Sequence, residues 1–184
     1  MTTDKNSAPF QMPGSYIHSY AGQTPRLGRN VFLASSAQLI GDLEAGDDCS
    51  FWFNTTTRAD CNRVRMGARV NVQDNTVIHV THKTGPTTIG SDVTIGHGAV
   101  IHACTIGNFC LIGMGAIILD GAIIPDYSFV AAGALVSPGK TFPSGMLIKG
   151  SPAVAARPLR DEERQAIRDS VKNYLDYKRK YMDP

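Results

Sequence analysis

Charged residues are scarce in this chain: Asp, Glu, Lys and Arg make up 18% of its 184 residues, and the net charge is +2. A balance so close to neutral does not point to nucleic acid or to acidic partners. No apolar stretch reaches the roughly 18 residues that a membrane-spanning helix requires. Residues 1–13 also lack the apolar segment of a secretory signal. We therefore expect a cytoplasmic protein that binds neither nucleic acid nor membrane.

The sequence also lacks any C-x-x-C pair, although it contains four cysteines, Cys49, Cys61, Cys104 and Cys110. In a reducing compartment, isolated thiols stay free and pack as small apolar groups. We therefore expect four free, buried cysteines. Cys104 lies two residues from His102, but we interpret it as a packing residue rather than a metal ligand.

A third absence concerns helices, because residues 31–137 lack the apolar spacing of three and four that an amphipathic helix requires. In its place, an apolar or small residue recurs at about every sixth position, a period typical of a parallel β-helix built from hexapeptides. The repeated residues are Leu33, Leu39, Ala45, Phe51, Thr57, Met66, Val72, Ile78, Ile89, Ile95, Ile101, Ile106, Ile112, Ile118, Ile124, Val130 and Val136.

Each hexapeptide in such a fold forms one short face of a triangular prism, so three faces, about eighteen residues, complete one coil. The repeated residue points inward and stacks on its equivalents in the neighbouring coils, at the ~4.8 Å spacing of paired strands. Glycines and other small residues permit the tight corners between faces. We therefore predict an all-β fold with a C-terminal helix, in which the β part is a single-stranded parallel β-helix of hexapeptide repeats.

The six-residue repeat ends after Val136, and the prolines and glycines that follow indicate a connector. Acidic residues from Asp161 onward and basic residues near Lys180 then suit the two ends of a helix dipole. We expect this helix to pack on the prism through Ile167, Val171, Tyr174, Leu175 and Lys178. The predicted segments are a lead-in (1–30), the β-helix (31–137), the connector (138–158) and the helix (159–184).

Two stretches, 57–65 and 78–88, are longer than six residues, and we treat each as one face with a bulging loop. In that register, the faces that begin at 57, 78 and 101 lie above one another in three successive coils. Arg58, His79 and His102 each follow the first residue of such a face, so they form a column about one strand spacing apart. Two stacked imidazoles suit the chelation of one metal ion, with a guanidinium beneath them.

His97 lies two residues into the preceding face, where it stacks over Asp74. Its side chain points around the corner from His79 and His102, so we do not expect it to reach them in the same chain. A trimer of parallel prisms brings the face of His97 in one chain against the column of the next and generates three equal sites. Three imidazoles and a water give a four-coordinate Zn²⁺ with an open position, as in catalytic zinc sites.

Several runs of residues carry a family resemblance. They are Arg58-Ala59-Asp60, Asn71-Val72-Gln73-Asp74-Asn75, His79-Val80-Thr81-His82-Lys83, Gly96-His97, His102-Ala103-Cys104-Thr105-Ile106-Gly107 and Gly150-Ser151-Pro152. In these runs the chain resembles the gamma-class carbonic anhydrase family, and in particular its short bacterial branch of anhydrase-like hexapeptide-repeat proteins. The resemblance extends from Gly28 to the C-terminal helix, and its specific part is the histidine spacing together with the Gln-Asp pair.

The resemblance implies a left-handed β-helix that is packed as a homotrimer. It implies Zn²⁺, or alternatively Fe²⁺ or Co²⁺, bound by His79 and His102 of one chain and by His97 of the next. The implied activity is the reversible hydration of CO₂ to bicarbonate by a zinc-bound hydroxide.

The resemblance also implies roles for four further residues. Gln73 would hold the hydroxide, and because its amide is uncharged it would orient the nucleophile without trapping its proton. Arg58 would form a salt bridge with Asp74 across the subunit boundary, and Asp60 would belong to the same interface network.

The chain departs from the family's archetype in its route for protons. Fast anhydrases need a titratable group that carries protons away from the metal, and the archetype has a glutamate in an extended loop. Loops 60–65 and 80–88 of this chain contain no Glu, which leaves His82 as the candidate proton relay. Two alternatives therefore stay open: a catalytically weak or inactive metal-binding hexapeptide protein, and a hexapeptide acyltransferase that uses CoA.

Overall fold

The computed structural model describes residues 8–183 of the chain. The first seven residues of the predicted lead-in, and Pro184 at the end of the predicted helix, lie outside the described residues. In chain order, the strands and the helix are β1 (Phe10–Gln11), β2 (Tyr16–His18), β3 (Arg26–Leu27), β4 (Phe32–Leu33), β5 (Gln38–Ala45), β6 (Ser50–Phe51), β7 (Thr56–Met66), β8 (Asn71–Val72), β9 (Val77–His79), β10 (Thr87–Ile89), β11 (Thr94–Ile95), β12 (Val100–His102), β13 (Thr105–Ile106), β14 (Leu111–Ile112), β15 (Ile117–Ile118), β16 (Ile123–Ile124), β17 (Phe129–Val130), β18 (Leu135–Val136), β19 (Met146–Gly150), β20 (Ala153–Pro158) and α1 (Asp161–Met182).

The strands form three parallel ladders, which are the three faces of a prism. Face 1 contains β1, β4, β6, β8, β11, β14, β17 and β19. Face 2 contains β2, the first parts of β5 and β7, and then β9, β12, β15 and β18, whereas face 3 contains β3, the last parts of β5 and β7, and then β10, β13 and β16. The chain passes through the faces in turn, and the predicted left-handed parallel β-helix is confirmed.

The interior of the prism is filled by the repeated apolar residues. On face 1, Val72, Ile95 and Ile112 lie opposite one another on consecutive strands and are fully buried. On face 2, Ile78 and Ile101 are paired and buried in the same way. Because burial of one such side chain contributes about 1.5–3 kcal/mol, stacks that continue from coil to coil stabilise the β-helix along its length.

The residues of functional interest stand just before the corners of the prism. Gly98, with φ 67°, follows His97, and Ala103, with φ 48°, follows His102. A residue in the left-handed region turns the chain sharply onto the next face. The side chains just before these turns are accordingly solvent-accessible, His97 at 41% and His102 at 31%.

The coils extend beyond residues 31–137 in both directions. Phe10 lies opposite Phe32 in the parallel pair of β1 and β4, and Val130 lies opposite Ile148 in the parallel pair of β17 and β19. The β-helix therefore begins within the predicted lead-in and ends within the predicted connector. The six-residue spacing does not reveal these end coils, because irregular stretches separate their short strands from the rest. An antiparallel pair of β19 and β20 then follows the last coil.

Helix α1 packs along face 1, against β6 and β11. At its start, the Arg160 backbone N–H donates to the Glu163 carboxylate at 2.9 Å, which satisfies a free donor of the first turn. Ile167 and Val171 are buried against the prism. No helix within residues 8–183 has the length and apolar character needed to cross a membrane.

The helix is also held by a buried cation. Lys178 is 1% exposed, and its ammonium donates to the Asp48 carboxylate at 2.9 Å and to the Asn30 carbonyl at 2.7 Å. A buried ammonium is tolerated only when it is paired and hydrogen-bonded. Lys178 therefore fixes how far along face 1 the helix lies.

Candidate metal centre

His79 and His102 lie beside each other on face 2. They end β9 and β12 and are directly opposite in the parallel register, with His79 Nδ1 at 3.2 Å from His102 Nε2. On the preceding coil Thr57 pairs with Ile78, which places Arg58 next to His79. The structure thus contains the column of Arg58, His79 and His102 that the repeat register predicts.

Each of these two histidines is held by a carboxylate through its other ring nitrogen. His102 Nδ1 is 2.7 Å from Asp120 Oδ1, and His79 Nε2 is 3.2 Å from Asp60 Oδ1. A carboxylate that accepts the N–H of one ring nitrogen leaves the lone pair of the other nitrogen free for a metal. The free lone pairs are therefore on His79 Nδ1 and His102 Nε2, the two atoms that face each other.

His97 shows the same arrangement on a different face. It follows β11 on face 1, and its Nδ1 lies 2.8 Å from Asp74 Oδ2 of the preceding coil. Its Nε2 faces the Tyr174 hydroxyl of α1 at 3.5 Å, which is long for a hydrogen bond. The stacking of His97 over Asp74 that the register predicts is present.

One chain does not bring His97 to the other two histidines. Within residues 8–183, the one group of three His, Cys, Asp or Glu ligand atoms that lie within 4.8 Å of one another consists of Asp60, Cys61 and His79. That group suits a cation poorly, because the Arg58 guanidinium already pairs with Asp60 and burial raises the pKa of the Cys61 thiol. A single chain therefore offers two imidazoles of the predicted set, with the third on a separate face.

The spacing of the two paired imidazoles fits a tetrahedral metal ion. Two nitrogens bound at about 2.0–2.1 Å in tetrahedral geometry lie about 3.3 Å apart, and His79 Nδ1 and His102 Nε2 are 3.2 Å apart. Imidazole donors suit Zn²⁺ and also iron and other transition metals. The residues present therefore fit a metal of the predicted class.

Burial favours the neutral, metal-binding form of His79. Removal from water lowers the pKa of His79 below its usual 6.5, and the charge of Arg58 acts in the same direction, against the hydrogen bond to Asp60. Burial acts to raise the pKa of Asp60, but hydrogen bonds from Arg58 and His79 outweigh it and leave that pKa below its usual range. At neutral pH a neutral imidazole thus faces an ionised carboxylate.

Gln73 lies on the His97 side of the prism rather than on the column. It follows β8 on face 1, is 5% exposed, and donates from Nε2 to Asn71 Oδ1 at 3.1 Å. Asn71 donates to Thr94 Oγ1 at 2.8 Å, and this hydroxyl is 2.9 Å from that of Ser170 on α1. The buried chain of hydrogen bonds fixes the Gln73 amide, and Gln73 Oε1 has no protein partner within residues 8–183.

Arg58 and Asp74 have separate partners within the chain. Arg58 pairs with Asp60, whereas Asp74 pairs with His97. The salt bridge between Arg58 and Asp74 that the resemblance implies would join two chains, so one chain does not test it. The Arg58 side chain is 45% exposed and therefore accessible to a neighbouring subunit.

The 80–88 loop contacts the site through Thr81 rather than through His82. The Thr81 hydroxyl forms a hydrogen bond with the Asp120 carboxylate. This bond and the one to His102 hold the pKa of Asp120 below its usual range. His82 itself is exposed to solvent.

Sequence reasoning missed two residues that contact the histidines, Asp120 and Tyr174. Asp120 comes one residue after Leu119, the position that continues the column opposite His102 on the next coil. Extending the column by one coil would therefore have pointed to Leu119 and not to Asp120. Tyr174 belongs to the predicted apolar stripe of the helix, but nothing in the sequence indicates which coil it meets. Burial raises the pKa of Tyr174 to about 12, so its hydroxyl stays protonated beside His97.

All four cysteines are free, as predicted. Burial raises the pKa of Cys49 to about 11 and the pKa of Cys104 and of Cys110 to about 12, so these three remain inert thiols. Cys61 differs from the prediction because it is only half-buried, in the part of β7 that turns from face 2 to face 3.

Comparison with curated proteins identifies relatives over most of the chain, whereas no family model matches it. The mitochondrial gamma carbonic anhydrase 2 of Arabidopsis thaliana is 42% identical over 84% of this chain and 57% of its own length. A probable carbonic anhydrase of Methanocaldococcus jannaschii is 40% identical over 81% of this chain and 93% of its own. The chain belongs to the gamma carbonic anhydrase family. Protein YrdA of Escherichia coli is 43% identical over 91% of this chain and 94% of its own.

Solved structures share the fold of this gamma carbonic anhydrase family member. A hexapeptide transferase family protein from Anaplasma phagocytophilum is 40% identical, with a TM-score of 0.86 over 90% of this chain and 97% of its own. A putative acetyltransferase from Bacillus cereus is 38% identical, with a TM-score of 0.89 over 91% of this chain and 97% of its own. Membership of the gamma carbonic anhydrase family implies a bound metal ion, and the paired imidazoles fit one.

Proposed function

We propose that the protein is a carbonic anhydrase that catalyses the reversible hydration of CO₂ to bicarbonate. Its metal would be Zn²⁺, with Fe²⁺ or Co²⁺ as alternatives, bound by His79 and His102 of one chain and by His97 of the next. The observation that carries the proposal is the 3.2 Å separation of two imidazole nitrogens whose rings are each oriented by a carboxylate. Relatives named as carbonic anhydrases support the same activity.

A bound zinc ion supplies hydroxide at neutral pH, because it lowers the pKa of water toward about 7. The residues of the chain would orient the metal ligands for this reaction. Asp60, Asp74 and Asp120 keep the three imidazoles in the tautomers that direct a lone pair outward.

Two further residues would handle the protons of the reaction. Gln73 Oε1, which has no protein partner within residues 8–183, would accept a hydrogen bond from the nucleophile without removing its proton. His82, exposed on the 80–88 loop, would carry the released proton to solvent.

The location of the histidines supports a homotrimer. His97 lies on face 1, whereas His79 and His102 lie on face 2. A threefold arrangement that packs face 1 of one chain against face 2 of the next would therefore complete three equal sites. Face 2 also exposes apolar side chains beside the histidine pair, Val77 at 41% and Ile117 at 36%. A docked neighbour would remove these from water.

The same arrangement would pair charges across the subunit boundary. Arg58, which is 45% exposed, would reach Asp74 of the adjacent chain, and Asp60 would hold Arg58 from within its own chain. An arginine between two carboxylates can keep both bonds because its guanidinium has five donors.

The proposal is tested by stopped-flow CO₂ hydration on protein whose metal content and oligomeric state are determined in the same preparation. We expect a trimer in which the hydration rate rises with metal occupancy and disappears when a chelator removes the metal. If a trimer with full metal occupancy does not hydrate CO₂, the alternative from the sequence analysis applies: a metal-binding hexapeptide protein without this activity.

An acyltransferase is a second candidate, favoured by the transferase names of the two similar solved structures. Such an enzyme would use one histidine as general base and would have no need of three imidazoles with free lone pairs. Isothermal titration with acetyl-CoA separates the two functions, because saturable binding is expected only of the transferase.

A further inference from the structure

A cavity of about 240 Å³ lies between α1 and the corner at which the chain turns from face 3 to face 1. The corner contributes the rings of Phe109 and Tyr127, and the helix contributes the side chains of Arg164, Ile167 and Arg168. Ile167 is buried against the prism, whereas the two arginines reach solvent. The cavity therefore combines an aromatic wall with two cationic groups.

The aromatic wall is formed by two stacked rings. Phe109 and Tyr127 hold the same corner position on consecutive coils, because the residues two places after them, Leu111 and Phe129, are paired. Their ring centroids are 5.0 Å apart and their planes differ by 5°. Tyr127 is 44% exposed, so this ring is not part of the core. The two rings offer a continuous surface that a further aromatic ring can contact edge-on or in an offset stack.

The column of corner side chains ends at Gly145, which holds the same position one coil after Tyr127 and has φ 73°. A Cβ at Gly145 would lie 3.2 Å from Nη2 of Arg164. The guanidinium of Arg164 therefore lies beside the position that a third side chain of the column would occupy. One cation of the cavity thus adjoins the end of the aromatic wall.

The two arginines of the cavity have no acidic partner. Arg164 and Arg168 are four residues apart on α1, a spacing at which like charges repel. Within residues 8–183 neither forms an ion pair, and Arg168 donates to the neutral Gln165 side-chain oxygen at 2.9 Å. Arg160 and Arg179, near the two ends of the same helix, are each paired with a carboxylate. An anion bound between Arg164 and Arg168 would relieve their repulsion.

The carboxylates of the same corner are held by other donors. Asp126, which precedes Tyr127, accepts the backbone N–H of Asn108 at 2.7 Å. Asp92, on the coil before Phe109, accepts two hydrogen bonds from the Arg69 guanidinium at 2.6 and 2.7 Å. Neither carboxylate therefore neutralises the arginines of the cavity.

The cavity is separate from the metal centre. His97 lies at the opposite edge of face 1, where the chain turns to face 2, and Tyr174 is on the flank of α1 that faces it. Arg164 and Arg168 are on the other flank. In the proposed trimer, neighbouring chains meet at the His97 edge and at face 2, so the cavity would face solvent.

We propose that this cavity binds a small anion with one aromatic ring. The ring would contact Phe109 and Tyr127, and its carboxylate or phosphate group would lie between Arg164 and Arg168. A guanidinium group suits both anions, because its planar fork donates two parallel hydrogen bonds. Pockets for drug-sized ligands span about 300–1,000 Å³, so a cavity of about 240 Å³ suits a single ring. Binding involves no covalent step and does not depend on the proposed function.

The experiment titrates the metal-loaded protein with benzoate and with phenyl phosphate, and follows binding by ligand-observed NMR. Two further probes each lack one feature: cyclohexanecarboxylate has no aromatic ring, and benzamide has no charge. Benzoate should bind about two- to tenfold more tightly than cyclohexanecarboxylate. It should bind about tenfold more tightly than benzamide, because charge-assisted hydrogen bonds are stronger than neutral ones. The tighter binder of benzoate and phenyl phosphate identifies the preferred anionic group.

Two substitutions each remove one part of the site, and a matched substitution removes neither. Arg168→Gln should weaken the binding of benzoate about tenfold, and Tyr127→Leu should weaken it about fivefold. Both side chains are exposed, so folding is little affected. Arg179→Gln is the control, because it removes the same charge from an exposed position of the same helix outside the cavity. We expect benzoate to bind this variant as it binds the natural chain.

A further variant separates the cavity from the metal centre, where a carboxylate could also bind. His97→Ala removes a proposed metal ligand, and we expect benzoate to bind it as before. Binding that is lost in His97→Ala but retained in Arg168→Gln places the anion at the metal and overturns the inference. Equal binding of benzoate and cyclohexanecarboxylate, or unchanged binding in both Arg168→Gln and Tyr127→Leu, also overturns it. The rate of CO₂ hydration should be the same in Arg168→Gln and in the natural chain.

Discussion

Asp120 Oδ1 lies 2.7 Å from His102 Nδ1, and the other oxygen of this carboxylate accepts a hydrogen bond from the Thr81 hydroxyl. The contact orients the His102 ring so that Nε2 faces His79 Nδ1. Asp60 and Asp74 hold His79 and His97 in the same way. All three imidazoles of the proposed metal set therefore have a carboxylate on the opposite nitrogen, although only two of the three carboxylates were predicted.

Asp120→Asn should weaken metal binding by about 10- to 100-fold, because a neutral amide orients and polarises His102 less well than a carboxylate. The measurement is zinc affinity by competition with a chromophoric chelator. Asp120→Glu should recover part of the loss, and Asp176→Asn, on the exposed side of α1, should have no effect. Unchanged affinity in Asp120→Asn would contradict a positioning role.

His97→Ala should release the metal while the β-helix stays folded, because the side chain is 41% exposed and is not part of the core. Metal analysis and far-ultraviolet circular dichroism test the two halves of this prediction. Retention of stoichiometric metal would show that the site does not depend on His97.

A mixing experiment tests whether the sites are shared between chains. Co-refolding His97→Ala with His102→Ala should restore some CO₂ hydration, because a mixed trimer contains boundaries at which all three histidines are intact. If verified mixed trimers stay inactive, the three ligands do not come from two adjacent chains.

Gln73→Ala should leave the metal bound but lower the rate of CO₂ hydration, since the amide would no longer orient the nucleophile. The substitution also leaves the buried side-chain oxygen Oδ1 of Asn71 without its donor, which should cost about 1–3 kcal/mol of unfolding free energy. Hydration is therefore measured well below the unfolding transition, with Thr94→Val as a control that disturbs the same hydrogen-bond chain. If Gln73→Ala and Thr94→Val lower the rate of CO₂ hydration equally, the effect comes from disturbed packing and not from the Gln73 amide.

The start of α1 should loosen in acid. Hydrogen bonds from Arg157, and then from Arg160, lower the pKa of Glu163 to about 2 from its usual 4.5. A carboxylate with a depressed pKa stabilises the folded state above its unfolded pKa, and this contribution is lost as the pH falls from about 5 toward 2. Hydrogen exchange of the first turn should rise over that window in the natural chain and change less in Glu163→Gln.

The column on face 2 could be predicted because it depends on local geometry alone. Once an apolar residue is known to point inward, the next residue along the strand points outward, and paired strands bring Arg58, His79 and His102 together. The stacking of His97 over Asp74 follows from the same rule. Neither conclusion needs knowledge of distant contacts.

The sequence by itself determined the prism, its register and the faces that carry the histidines. Apolar residues at about every sixth position can all be buried only if each face of the prism directs its repeated residue inward. Only the tertiary structure decided which coil α1 meets, and therefore that Tyr174 lies beside His97. It also revealed the buried pair of Lys178 and Asp48 and the end coils at Phe10 and Ile148. These features depend on packing between segments that lie far apart in the chain. The spacing of residues within one segment does not show which distant segment it will contact.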